Sequence, residues 1–147
     1  MKVIQGISAS TGIAKGKVLI YQSPCLDFVS KNEINIQEEQ QKIVAAFQNS
    51  SAELDLIVKN LSSNLGKEYA HIFRAQMTML EDEDFLSDIN QKIKEASQCS
   101  EEALHTVYSD YAALFTQLGD DDYNKQRLVD LTDMYKRVMR NLLGLKE

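Results

Sequence analysis

Residues 36–66, IQEEQQKIVAAFQNSSAELDLIVKNLSSNLG, decide how the whole chain is read. Ile36, Ile43, Phe47, Leu54, Val58, Leu61 and Leu65 recur at steps of three, four or seven. That spacing puts them on one face of a long helix, with Gly66 as a natural stop. The same period continues downstream. Tyr69, Ile72, Phe73, Gln76, Met77 and Leu80 form a second stripe; Glu81, Asp82, Glu83 and Asp84 interrupt it, and Phe85, Leu86, Ile89 and Ile93 resume it. A helix bent at the acidic run is expected. A third helix opens at Ser100, whose hydroxyl is suited to accept from a free first-turn N–H, with Glu101 and Glu102 at the positive end of the dipole. Its stripe is Leu104, Val107, Tyr108, Tyr111, Leu114, Phe115 and Leu118, and Gly119 ends it. Asp120, Asp121 and Asp122 start a fourth, lined by Leu128, Leu131, Met134, Tyr135, Val138, Met139 and Leu142 as far as Gly144. Lys136, Arg137 and Arg140 sit near its negative pole. Four apolar-striped helices with short connections predict a mainly α fold, an antiparallel four-helix bundle.

Upstream the pattern changes. Of the six glycines and one proline, Gly6, Gly12, Gly16 and Pro24 fall in the first 24 residues. Val3-Ile4, the turn-rich stretch from Gly6 to Gly12, and Val18-Leu19-Ile20-Tyr21 read as strand, turn, strand. Two short strands are marginal alone, and nothing downstream supplies a third, so this piece belongs with a sheet.

Composition excludes several classes. The chain has 147 residues, 44% hydrophobic, with 16 Lys and Arg against 22 Asp and Glu for a net charge of −6. It is long enough for one core. An acidic chain without a basic run is a poor binder of nucleic acid. No apolar run approaches the length that spans a bilayer and the N-terminus lacks a signal-like stretch, so no membrane partner and a cytoplasmic location are expected. Cys25 and Cys99 form no CxxC pair and His71 and His105 complete no ligand motif, which predicts reduced thiols and no zinc site.

Catalytic constellations are scarce. The Gly6–Gly12 loop with Ser8, Ser10 and Thr11 lacks the Lys-Ser/Thr of a phosphate loop and reads as a turn. His71 and His105 have no positioned partner and read as packed or peripheral side chains, with Tyr108 and Tyr111 at the core edge. The run Glu81 to Asp84 has three readings: a solvated bend, a hard-cation site lacking a shaped loop, or a docking surface in which Met77, Met79, Leu80 and Phe85 are rimmed by carboxylates. Residues alone leave these open.

Three segments then resemble one family. Gly6-Ile7-Ser8-Ala9-Ser10-Thr11-Gly12-Ile13-Ala14-Lys15-Gly16-Lys17 resembles the opening GIxASPGIAxGK of enzyme I of the bacterial phosphoenolpyruvate:sugar phosphotransferase system. Ile72-Phe73-Arg74-Ala75-Gln76-Met77-Thr78-Met79-Leu80-Glu81-Asp82 resembles its IFEAHxxMLED helix. The stretch Asp130 to Gly144 is similar to its DxxDxxKRxxRNLLG helix.

The resemblance implies a division of labour. Enzyme I takes phosphate from phosphoenolpyruvate onto a histidine and passes it to the carrier HPr for sugar uptake. Its N-terminal half joins a swivelling α/β domain to an inserted helical subdomain that docks HPr. Residues 1–22 then correspond to the strands of an incomplete α/β domain, 23–34 to a linker, 35–144 to the docking subdomain and 145–147 to the return to the α/β domain. The resemblance assigns HPr contacts to Glu68, Gln76, Met79, Leu80, Asp82, Glu83 and Phe85, with Arg127 as an addition. The family's phospho-accepting histidine lies in a GGxTSH motif not found here, so no catalytic residue, cofactor or metal is expected in this chain, and alone it is expected to be inactive. Magnesium and the homodimer interface belong to the family's C-terminal domain. Two departures stand out: Gln76 replaces the usual histidine and Arg74 the usual glutamate. An alternative is a stand-alone, non-catalytic module that binds the carrier. In either case the strand at Val18–Tyr21, without its sheet, is expected to self-associate by pairing with a second copy, to be disordered, or to pack irregularly on the bundle.

Overall fold

The computed structural model describes residues 23–64, 73–119 and 121–145, with residues 5, 7, 11–13, 15–17 and 20 of the N-terminal stretch. The expected strands Val3-Ile4 and Val18–Tyr21, their self-association, Gly66, His71, Tyr69, Ile72 and the docking candidate Glu68 lie outside the described residues, apart from an exposed Ile20. Among the described residues there are five helices: α1 (Ile36–Asn64), α2 (Arg74–Leu80), α3 (Glu83–Glu95), α4 (Ser100–Leu118) and α5 (Asp122–Leu142). The mainly α bundle stands, and the expected bent second helix is two helices. Residues 23–34, read as a linker, hold Leu26, Phe28 and Ile34 partly buried against the bundle.

Each helix begins and ends for a local reason. Asn35 starts α1: its Oδ1 accepts from the backbone N–H of Gln37 at 3.1 Å and of Glu38 at 3.3 Å. α2 stops after Leu80 because Asp82 takes an extended conformation (φ −72°, ψ 108°), and its carboxylate accepts from the N–H of Asp84 and Phe85 to start α3. Asp121 does the same for α5 through Asn124 N–H at 2.8 Å. At the far end of α5, Gly144 takes φ +66°, while its N–H donates to Asn141 C=O and that of Leu145 to Arg140 C=O, the paired bonds of a Schellman cap.

The start of α4 departs from expectation. Ser100 is the first helical residue, and its hydroxyl does not cap the helix. Instead Glu39 of α1, buried, accepts both the Ser100 backbone N–H (2.9 Å) and the Ser100 hydroxyl. A side chain from another helix therefore serves one of the orphan N–H groups, and sequence proximity could not have revealed it. Lys31 and Lys42 donate to the same carboxylate at 3.0 and 3.2 Å. Burial opposes the charge on Glu39, but the bonds from Ser100 and the two lysines outweigh it and hold the carboxyl down to about 2.

A second polar clasp joins α1 to α5. Arg137 and Arg140, expected to answer the helix dipole, instead donate to Glu53 at 3.3 and 2.7 Å, with Asn141 Nδ2 at 3.2 Å. Between the clasps lies one apolar core, with Ile43, Leu54, Ile89, Ile93, Leu104, Met134 and Val138 fully buried. α5 packs on α1, α2 and α4, and so ties the bundle together.

Candidate functional site

α4 has 19 residues and α3 only 13, so the C-terminal end of α4 runs past its neighbour. The apolar stripe does not stop there. Leu114 and Leu118 remain 51% and 63% exposed, where the sequence pattern placed them inside. Between this overhang, the start of α5 and the α2–α3 break opens a groove of about 330 Å³. Leu131 and Phe85 form its floor, Met79, Tyr111 and Phe115 its walls, and Asp82, Tyr123 and Arg127 stand among its lining. The walls are held rather than loose. Phe85 meets Tyr111 edge to face at 5.0 Å, and the Tyr111 hydroxyl donates to Asp88 at 3.0 Å. Burial first, then the bond to Asp88 and the nearby charges of Asp82 and Asp84, push the Tyr111 phenol up to about 12. It stays a neutral donor throughout the physiological range. On α5, Arg127 lies 5.2 Å over the Tyr123 ring, and its Nε donates to the Tyr123 hydroxyl at 3.1 Å.

The candidates read from the sequence divide. Met79, Asp82, Phe85 and Arg127 meet in this groove, although Arg127 is far from the others in sequence. Phe85 is 3% exposed and shapes the floor. Leu80 is buried in the core beneath, and Glu83 stands exposed in the first turn of α3. Gln76 does not join them. It is 5% exposed and lines a separate cavity with Phe73 and Arg137. Tyr111, Phe115, Leu118 and Tyr123 were missed as site residues. The signal for three of them was present: a stripe at 111, 115 and 118 that outlasts the helix available to cover it.

The remaining candidates are in plainer surroundings. His105 is exposed, but its ring packs beside Phe28 and Tyr135 at 5.7 and 5.9 Å, and its Nδ1 lies 3.0 Å from the Tyr135 hydroxyl. Tyr135 stacks on Tyr108 at 4.1 Å. Asp82 spends its carboxylate on the α3 cap, and among the described residues no group of three or more His, Cys, Asp or Glu is placed to hold a metal ion. Among the same residues no helix is long and apolar enough to cross a membrane.

With the groove described, the chain can be set beside known proteins. It is 34% identical over 144 residues to a phosphoenolpyruvate-protein phosphotransferase of Priestia megaterium, covering 98% of this chain and 25% of that protein. The protein of the same description from Lactococcus lactis subsp. lactis is 33% identical over 144 residues, and that from Staphylococcus aureus 34% over 147, again across 25% of their lengths. The chain thus spans about a quarter of the curated relatives it matches. A solution structure of Enzyme I, the nEIt protein, superposes on 84% of this chain and 50% of its own with a TM-score of 0.76 and 28% identity. Residues 5–127 match the family described as PEP-utilising enzyme, N-terminal. The resemblance carried by the three motifs is thereby borne out, and the chain belongs to the family of PEP-utilising enzyme N-terminal domains.

Proposed function

We propose that this chain is the part of a phosphoenolpyruvate-protein phosphotransferase that docks the phosphocarrier HPr, and that the α2–α3/α4–α5 groove is the docking surface. The observation that carries the reading is the groove itself. It brings to one place Met79, Asp82, Phe85 and Arg127, residues singled out by the resemblance to enzyme I. Its chemistry suits a protein partner. Tyr123 and Leu118, 66% and 63% exposed, offer apolar area, and burying such a side chain is worth about 1.5 to 3 kcal/mol. Asp82, Glu83 and Asp84 supply a negative rim that favours a partner with cations around an apolar patch. Tyr111 and Phe115 join the proposed contact set.

Phosphotransfer itself is proposed for the whole protein, in the cytoplasm, and not for these residues. His105 lies on a different face, where its Nδ1 is 3.0 Å from the Tyr135 hydroxyl and it lines a separate pocket with Asp27 and Phe28. Magnesium, dimerisation and the phospho-accepting histidine are assigned to the remainder of the protein.

The test is a titration of isotope-labelled chain with cognate HPr. Amide shifts are expected at Met79, Phe85, Tyr111, Phe115 and Arg127, with Lys59 and Asn60 at the far end of α1 unmoved. Unaltered groove resonances with folded HPr would overturn the docking reading.

A further inference from the structure

A second cavity, of about 320 Å³, shares no lining residue with the groove. It lies between α2, the C-terminal half of α5 and the extended segment at Ser23–Leu26. Two buried polar atoms belonging to its lining residues have no hydrogen-bond partner: Gln76 Oε1, an acceptor, and Arg137 Nε, a donor. Buried groups of this kind are nearly always satisfied, so the pair marks a place for a ligand or an ordered water. Lys136, Arg137 and Arg140 line the cavity against one carboxylate, Asp133. Glu53 stands outside it and holds the terminal guanidinium nitrogens of both arginines. It thereby fixes Arg137 while leaving Nε–H unspent. Counting Glu53, the described charged residues around the cavity are three cations and two anions, in a chain whose net charge is −6.

From these observations the geometry points to a binding site for a phosphate group that still carries a proton, with Arg137 and Lys136 donating to its oxygens and Gln76 Oε1 accepting its O–H. The donor set decides the class. A carboxylate or sulfate offers only acceptors and would leave Gln76 Oε1 unpaired, whereas a cation would face Lys136 and two arginines. Monohydrogen phosphate, or the monoanion of a phosphate monoester, offers both an O–H and charged oxygens. Pro24, Leu26 and Phe73 add an apolar wall against which the organic part of an ester can rest.

The experiment titrates the labelled chain with inorganic phosphate near pH 6.5 and follows the Gln76 amide and the Arg137 Nε–H resonances. Saturable shifts are expected, at least fivefold weaker in apparent affinity with sulfate at equal ionic strength. Gln76→Leu and Lys136→Gln should each weaken the phosphate response at least fivefold while the far-ultraviolet spectrum stays helical. Lys136 is exposed, so its variant tests the site even if the buried change perturbs packing. A parallel titration with phenyl phosphate assigns the source: tighter binding than inorganic phosphate indicates an ester, and equal or weaker binding indicates the free ion. No saturable shift, an equal response to sulfate or chloride, or a response that survives both substitutions would overturn the site and leave the cavity to water.

Discussion

Asp82 holds two roles in one carboxylate, and the two can be separated by substitution. It accepts the backbone N–H of Asp84 at 2.9 Å and of Phe85 at 3.3 Å as the cap of α3, and it lines the groove. Asp82→Ala removes the cap and the charge together, and losing such a cap costs about 1 kcal/mol. For a chain of this size that lowers Tm by roughly 2 to 4 °C. Asp82→Asn keeps an acceptor at a position where Asn and Asp are about equally good caps, and removes only the charge. The asparagine variant is therefore expected to melt with the parent while its encounter with HPr slows. Equal thermal losses in both variants would show that the cap is not the source of stability; unchanged association with the asparagine variant would remove the charge from docking. At this scale the sequence was partly legible. The acidic run announced a bend, but nothing in four consecutive carboxylates tells which one turns back to cap the next helix. Gln76 was equally hidden: its place in the apolar stripe announced burial, while its unpaired oxygen beside Arg137 arises only when α2 meets α5.

Between elements, the most consequential contact is the one from Glu39 to the start of α4. Its carboxyl is lowered from 4.5 to about 2, with the Ser100 and lysine bonds overcoming burial. A carboxyl depressed on folding stabilises the protein above its unfolded value, and the contribution is lost as pH falls from 4.5 towards 2. The full contribution is on the order of 3 kcal/mol, since a tenfold change in acidity corresponds to about 1.4 kcal/mol. Glu39→Gln is thus expected to be clearly less stable than the parent near pH 6. The gap should narrow by about 2 kcal/mol near pH 2.5, as measured by denaturant melts at the two values. A gap of the same size at both would mean that charge on Glu39 is not what joins α1 to α4. Helix periods could be read directly, because each stripe is written within one segment. Who caps whom could not, because Glu39 and Ser100 are brought together only by packing. Nor could the overhang of α4 be read, since a continuous stripe looks the same whether or not a neighbour covers its end. The apolar walls of the groove come from this unmatched length.

Taken whole, the molecule is an acidic body with a single core in which α5 touches three other helices, and this was legible from four stripes and their connections. The strands expected at Val3-Ile4 and Val18–Tyr21, by contrast, fall almost wholly outside the described residues, and two short strands are marginal without further strands to pair with. Whole-molecule charge also bears on how a carrier would arrive. A net charge of −6 and the exposed carboxylates Glu81 to Asp84 beside the groove set up a field that attracts a partner with a basic face from beyond contact distance. In the proposed complex, short-range contacts with Met79, Phe85, Tyr111 and Phe115 would hold the carrier, and salt leaves such contacts nearly untouched. Raising salt from about 0.1 to 1 M shortens the screening length from about 10 to 3 Å. The association rate with HPr is accordingly expected to fall by about tenfold or more while the dissociation rate changes by less than about twofold. NMR line-shape or stopped-flow kinetics across that range would measure both. Salt dependence residing in the dissociation rate would instead mean that desolvated ion pairs, and not the apolar groove, hold the carrier in place.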